Sequence, residues 1–96
     1  MNGQTGGKSE QMYRILLSSQ ARRYYKAAPR ELARRLARAF EALEHSGTPK
    51  GARGLKGSLA GLHRLRVGNH RIVYEVIESQ KRIDVLKIGP RKDVYR

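Results

Sequence analysis

Leu62-His63-Arg64-Leu65-Arg66-Val67-Gly68-Asn69-His70-Arg71-Ile72-Val73-Tyr74-Glu75-Val76-Ile77 is the stretch on which the fold turns. Residues alternate with period two on both sides of Gly68-Asn69, so it reads as two strands, Leu62 to Val67 and His70 to Ile77, joined by a tight two-residue turn. The turn sets the register. Val67 faces His70, Arg66 faces Arg71, and alternation puts Arg64, Arg66 and Arg71 on one face of the sheet. Like charges directly opposite each other cost a few tenths to about 1 kcal/mol. An anion held between the two arginines turns that repulsion into a charge-assisted clamp. The alternative is that these arginines form only a solvated face.

Working outward, Glu78 to Lys81 is a second turn and Arg82 to Ile88 a third strand, ended by Gly89-Pro90 and followed by the polar Arg91 to Arg96. Before the hairpin, Lys50 to Gly61 reads as a loop punctuated by Gly51, Gly54, Gly57 and Gly61. Leu32, Leu36, Phe40 and Leu43 recur at spacings of four, four and three, one apolar stripe on a helix running to about Glu44. Pro29 suits the first turn of that helix, Gly47 with Pro49 stops it, and Arg30, Arg34, Arg35 and Arg38 line its outer side. Ser18 or Ser19 starts a shorter helix through about Ala27, preceded by a strand over Met12 to Leu17. The predicted architecture is α+β, in the order β-α-α-β-β-β. It is a small curved sheet, mostly antiparallel, with a two-helix hairpin packed on one face. Residues 12–96 form a single domain behind a Gly-rich, polar tail at 1–11.

The charge balance narrows the partner. Lys and Arg number 21 against 8 Asp and Glu, a net +13, and so uneven a surface suits a polyanion or an acidic protein. Arginine dominates, and its planar fork grips phosphate in bidentate fashion, so nucleic acid leads the candidate partners. The absence of cysteine excludes disulfides and Cys-ligated zinc and fits a cytoplasmic location. No apolar run is long enough for a membrane span, so no membrane partner is expected. His45, His63 and His70 are spaced too irregularly for a metal site, and none is predicted.

The segment from Leu55-Lys56-Gly57 through Gly61-Leu62-His63-Arg64-Leu65-Arg66-Val67-Gly68-Asn69-His70-Arg71 to Tyr74 resembles the central motif of the RelE/ParE toxin superfamily. The ending Val85-Leu86-Lys87-Ile88-Gly89-Pro90-Arg91-Lys92-Asp93-Val94-Tyr95-Arg96 is similar to that family's I-G-H-R-x-x-V-Y-R close. Ser18 to Ala27 and Pro29 match its early S-x-x-A helix and following proline, so the likeness runs from about Tyr13 to Arg96.

The resemblance implies the toxin of a type II toxin–antitoxin system, a RelE-type mRNA interferase. Such an endoribonuclease cuts mRNA in the A site of a 70S-type ribosome. The ribose 2′-hydroxyl attacks the adjacent phosphate, leaving a cyclic phosphate and a free 5′-hydroxyl. It also implies a cognate antitoxin protein and no small-molecule cofactor. By position in the motifs, Arg64, Arg66, Arg71, Arg91 and Tyr95 are the candidate catalytic residues. The arginines would neutralise charge developing on phosphorus, and Tyr95 would stack on a splayed base. Lys50, Arg53, Lys56, Lys92 and Arg96 are candidate RNA-binding residues.

Three departures leave the acid–base chemistry open. Arg66 stands where some members have Lys, and a guanidinium is a poor base. Pro90 stands where many have His, while His63 and His70 take positions that are often aromatic. Lys56, Glu75 and His70 are candidate bases, as is no conventional base at all. Against these, His63 and His70 point away from Arg64 and Arg71 and read as packing residues, and Glu75 reads as a salt-bridge partner of Arg71. A ParE-like DNA gyrase inhibitor and a non-catalytic basic RNA-binding module remain the alternative functions.

Overall fold

Five strands and two helices account for the chain in a computed structural model that describes residues 12–90. The elements are β1 (Arg14–Leu17), α1 (Ser19–Ala27), α2 (Arg30–His45), β2 (Ala52–Gly54), β3 (His63–Val67), β4 (His70–Ile77) and β5 (Arg82–Pro90). The sheet order is β1-β5-β4-β3-β2, with β1 parallel to β5 and every other pair antiparallel. The predicted α+β class, mixed sheet and helical hairpin on one face are all present. One reading is corrected. The stretch 50–61 is not wholly loop, because Ala52–Gly54 adds a short edge strand on β3 and Gly57–Leu59 forms a single 3-10 turn.

The helix stripe meets the sheet as its spacing demands. Leu36 and Leu43 are fully buried against Leu65, Ile72, Tyr74, Ile83, Val85 and Ile88, with Leu32 and Phe40 at the margin. Truncating either of the buried leucines to alanine costs about 2–5 kcal/mol in such a core. Tyr74 is buried with its hydroxyl donating to the Gly47 carbonyl at 2.8 Å, and burial pushes its pKa up to about 12. Pro29 sits one residue before the first turn of α2 rather than within it.

Ser18 has two tasks at the start of α1. Its Oγ accepts from the Ala21 amide at 3.1 Å, which caps the helix, and donates to the Leu86 carbonyl at 2.7 Å, which ties the cap to β5. Beyond it, the Gln20 amide donates to the Ile88 carbonyl at 2.8 Å and accepts from the Ile88 N–H at 3.0 Å. Along this stretch β5 carries a bulge. Val73 pairs with Lys87 and Tyr74 with Val85, leaving Leu86 without a partner in β4.

Candidate nucleic-acid interface

Gly68 takes φ +60°, and Lys81 alone among the described non-glycine residues has a positive φ, so Gly68-Asn69 has the positive first position of a type II′ turn. The predicted register follows from it, with Val67 opposite His70 and Arg66 opposite Arg71. Gly68 has a second reason to lack a side chain, since a Cβ there would stand 2.8 Å from Nη1 of Arg35, which reaches over the turn from α2.

The sheet face turned away from the helices carries two basic rows. One runs Arg53, Arg64, Val73 and Lys87 across β2, β3, β4 and β5. The other runs Arg66, Arg71 and Gly89 across β3, β4 and β5. Neither row contains a carboxylate. Arg53, Arg64 and Arg66 line a hollow of about 460 Å³ together with Gly51. Arg71 is half-buried, with its Nε shielded from solvent. Gly89, opposite it, leaves open space where a Cβ would stand. Val73 is 5% exposed although it faces away from the core. Its row neighbours are Arg64 and Lys87, and long basic side chains lay their methylenes over apolar neighbours while keeping the charge in water.

The other end of this face is mixed in sign. Glu75 lies opposite Asp84, and Arg82 grips Asp84 with two bonds, Nε to Oδ1 at 2.8 Å and Nη2 to Oδ2 at 3.1 Å. That hydrogen bond, more than the accompanying Coulomb attraction, raises the Arg82 guanidinium above its ordinary pKa. Glu75 stands four residues along β4 from Arg71, about 13 Å at strand rise.

Of the residues singled out by sequence, the structure brings Arg53, Arg64, Arg66 and Arg71 together. Lys50 lies instead in a separate groove of about 300 Å³ between α2 and β3, rimmed by Arg35, Arg38 and Arg66. Lys56 is exposed ahead of the 3-10 turn and does not line the hollow. Arg91, Lys92, Tyr95 and Arg96, like the tail at 1–11, lie outside the described residues. His70 is removed as a base for chemistry on this face. It lies on the helix side against Tyr24, with ring centroids 6.0 Å apart. His63 is on the same side, stacked on Tyr74 at 5.4 Å. Both histidines are packing residues, as alternation predicts.

Lys87 is the cation that sequence reasoning missed. Strict alternation from Ile83 and Val85 points residue 87 inward, and only the bulge at Leu86 reverses it. The available signal was the break in period, with Lys at 87 and apolar Ile at 88.

A larger concavity, about 630 Å³, lies elsewhere, beside the end of α2 between Tyr13, His45, Gly47, His63 and Glu78. It contains none of the clustered arginines, and the case for a polyanion rests on charge and register rather than on volume. There Tyr13 donates to Glu78 at 2.6 Å, a bond that lowers the carboxyl pKa and raises that of the phenol. Among the described residues no group of three His, Cys, Asp or Glu side chains could hold a metal ion.

Residues 15–95 match the model of a family described as the ParE toxin of the type II toxin–antitoxin system parDE. No curated protein sequence matches the chain. The RelE chain of an archaeal RelE–RelB complex from Pyrococcus horikoshii is 28% identical, with a TM-score of 0.74 over 86% of this chain and 99% of that one. A chain of the RelBE2 toxin–antitoxin complex of Mycobacterium tuberculosis is 26% identical, with a TM-score of 0.71 over 83% and 99%. The isolated RelE toxin of E. coli, 18% identical with a TM-score of 0.70 over 86% and 90%, agrees in fold. With the family model spanning nearly every residue from β1 onward, the chain belongs to the RelE/ParE superfamily, as a toxin of a type II toxin–antitoxin system.

Proposed function

We propose that this toxin is an endoribonuclease that cuts mRNA on the ribosome in the cytoplasm and is held in check by a cognate antitoxin. The observation that carries the reading is the Arg66–Arg71 pair, set in register in a basic field of Arg53, Arg64 and Lys87. In the reaction the ribose 2′-oxygen bonds to the adjacent phosphorus and the bond to the 5′-oxygen breaks. The proton of the 2′-hydroxyl is lost and the leaving 5′-oxygen gains one. Charge accumulates on the non-bridging oxygens, where two converging guanidinium groups stabilise it best. They also hold attacking and leaving oxygens in line, which lowers the entropic part of the barrier.

The two rows contain no histidine and no carboxylate, so the cluster is assigned electrostatics and positioning rather than proton transfer. Arg91 and Tyr95 keep their assigned parts, charge neutralisation and base stacking. Arg91 is bonded directly to Pro90, which pairs with His70 beside the Arg71–Gly89 pair. The antitoxin part rests on the RelE–RelB and RelBE2 relatives, whose structures are toxin–antitoxin complexes.

A second reading, inhibition of DNA gyrase through protein contacts, is favoured by one observation: the matching family model is that of ParE. The test is to add the protein to programmed ribosomes with a defined mRNA, and to naked mRNA in parallel, and to map new 5′ ends. Cuts confined to A-site codons and present only with ribosomes support the ribonuclease. Intact RNA in both tubes, with loss of gyrase supercoiling activity in a companion assay, transfers the assignment to gyrase.

A further inference from the structure

The parallel strand β1 covers the edge of β5 only as far as Leu17 opposite Val85. Beyond that point no strand among the described residues pairs with β5 on this side, and the start of α1 with its cap supplies partners instead. The Ser18 N–H donates to the Val85 carbonyl at 2.9 Å and the Ser18 hydroxyl to the Leu86 carbonyl at 2.7 Å. The Gln20 carboxamide then takes both backbone groups of Ile88, as a neighbouring strand would. The bulge at Leu86 falls within this span, and it alone puts Lys87 on the basic face and Ile88 in the core.

A bulge leaves one residue out of the ladder, so the strand needs some other constraint to keep the extra residue at one position. Absorbing the extra residue into the ladder, so that β5 alternates strictly from Val85 onward, would exchange the two faces of everything beyond. Burial of Ile88 opposes that exchange, and the Gln20 pair opposes it at the same residue, with directional bonds.

We propose that Gln20 is a positioning residue of the RNA site. Its two bonds to Ile88 fix the bulge that holds Lys87 in the row with Arg64 and Arg53, where the ammonium contacts a phosphate. The inference rests on the RNA reading of that face and adds to it a residue on the opposite side of the sheet.

The probe is a 2′-O-methyl RNA oligonucleotide, which cannot be cut, titrated with the purified full chain over a series of salt concentrations. One phosphate contact on a single strand contributes about 0.7 to the slope of log K against log salt. Lys87→Ala is expected to flatten the slope by about that amount. Gln20→Ala, and Gln20→Met with its preserved bulk, are expected to do the same. Each double variant with Lys87→Ala is expected to lose no more than the single one, because both changes remove one contact. Ile83→Val weakens the core, lowering Tm with the slope unchanged, and so marks a purely structural effect. Hydrogen exchange at the Ile88 amide should speed up in both Gln20 variants.

Wild-type binding with an unchanged slope in the Gln20 variants, or losses that add in the double variant, would overturn this inference and leave the RNA reading standing. No salt-dependent binding by the wild-type chain would overturn both.

Discussion

One face of the sheet holds like-charge cross-strand pairs of both signs, and two of them are treated differently. Glu75 and Asp84 oppose each other at one end, and Arg82 lies close enough to bind Asp84 with both prongs of its guanidinium. Arg66 and Arg71 oppose each other at the other end, in rows whose remaining members are Arg53, Arg64, Lys87, Val73 and Gly89. The acidic pair is neutralised within the fold. The basic pair is surrounded by more positive charge. That concentration of positive charge is what the proposed phosphate site calls for.

The comparison can be broken most severely at Arg71. Arg71→Ala should lower single-turnover cutting by about 10²–10³-fold, the scale of losing one preorganised donor at a reacting centre, with antitoxin binding retained. Near-normal cutting would remove Arg71 from the site and leave the basic pair without a task. Arg66→Glu tests the same pair in the opposite sense. It replaces a cross-strand repulsion with an attraction, so Tm should rise by about 3–6 °C while RNA cutting collapses. A fall in Tm would mean that the two arginines were never in electrostatic conflict. The smallest effect is expected at the relieved pair. Arg82→Met should lower Tm by less than the Arg66 change raises it, more at low salt than at high, and leave cutting intact. Loss of cutting there would extend the functional surface along the whole face.

What could be read from sequence was whatever a strict period and a tight turn impose. Gly68-Asn69 admits one register, and from it came the Arg66–Arg71 opposition and the inward turn of His63 and His70. The spacing of Leu32, Leu36, Phe40 and Leu43 located the buried stripe of α2 for the same reason. The failures fall where periodicity is absent or interrupted. Ala52–Gly54 is too short to show a period and contains a glycine, so Arg53 looked like a loop residue although β3 recruits it into the sheet. Lys87 is set by one extra residue, stabilised by side chains 68 positions away in sequence, which no local pattern can announce. Lys50 and Lys56 sit apart from the hollow lined by Arg53, Arg64 and Arg66, a placement that no period in 50–61 foretells.

The parallel pairing of β1 with β5 has a consequence for the life of the nascent chain. Residues 14–17 meet residues 82–85, so the first strand finds its partner only after almost the whole described chain has been made. Contacts of such high sequence separation must close a long loop before they return any stabilisation, which makes the last step of folding slow and late. While β5 is still inside the exit tunnel, the sheet lacks the strand next to its centre, and with it Ile83, Val85 and Ile88 of the core. A growing chain therefore cannot complete its sheet, or the basic face that the sheet displays, until β5 has emerged.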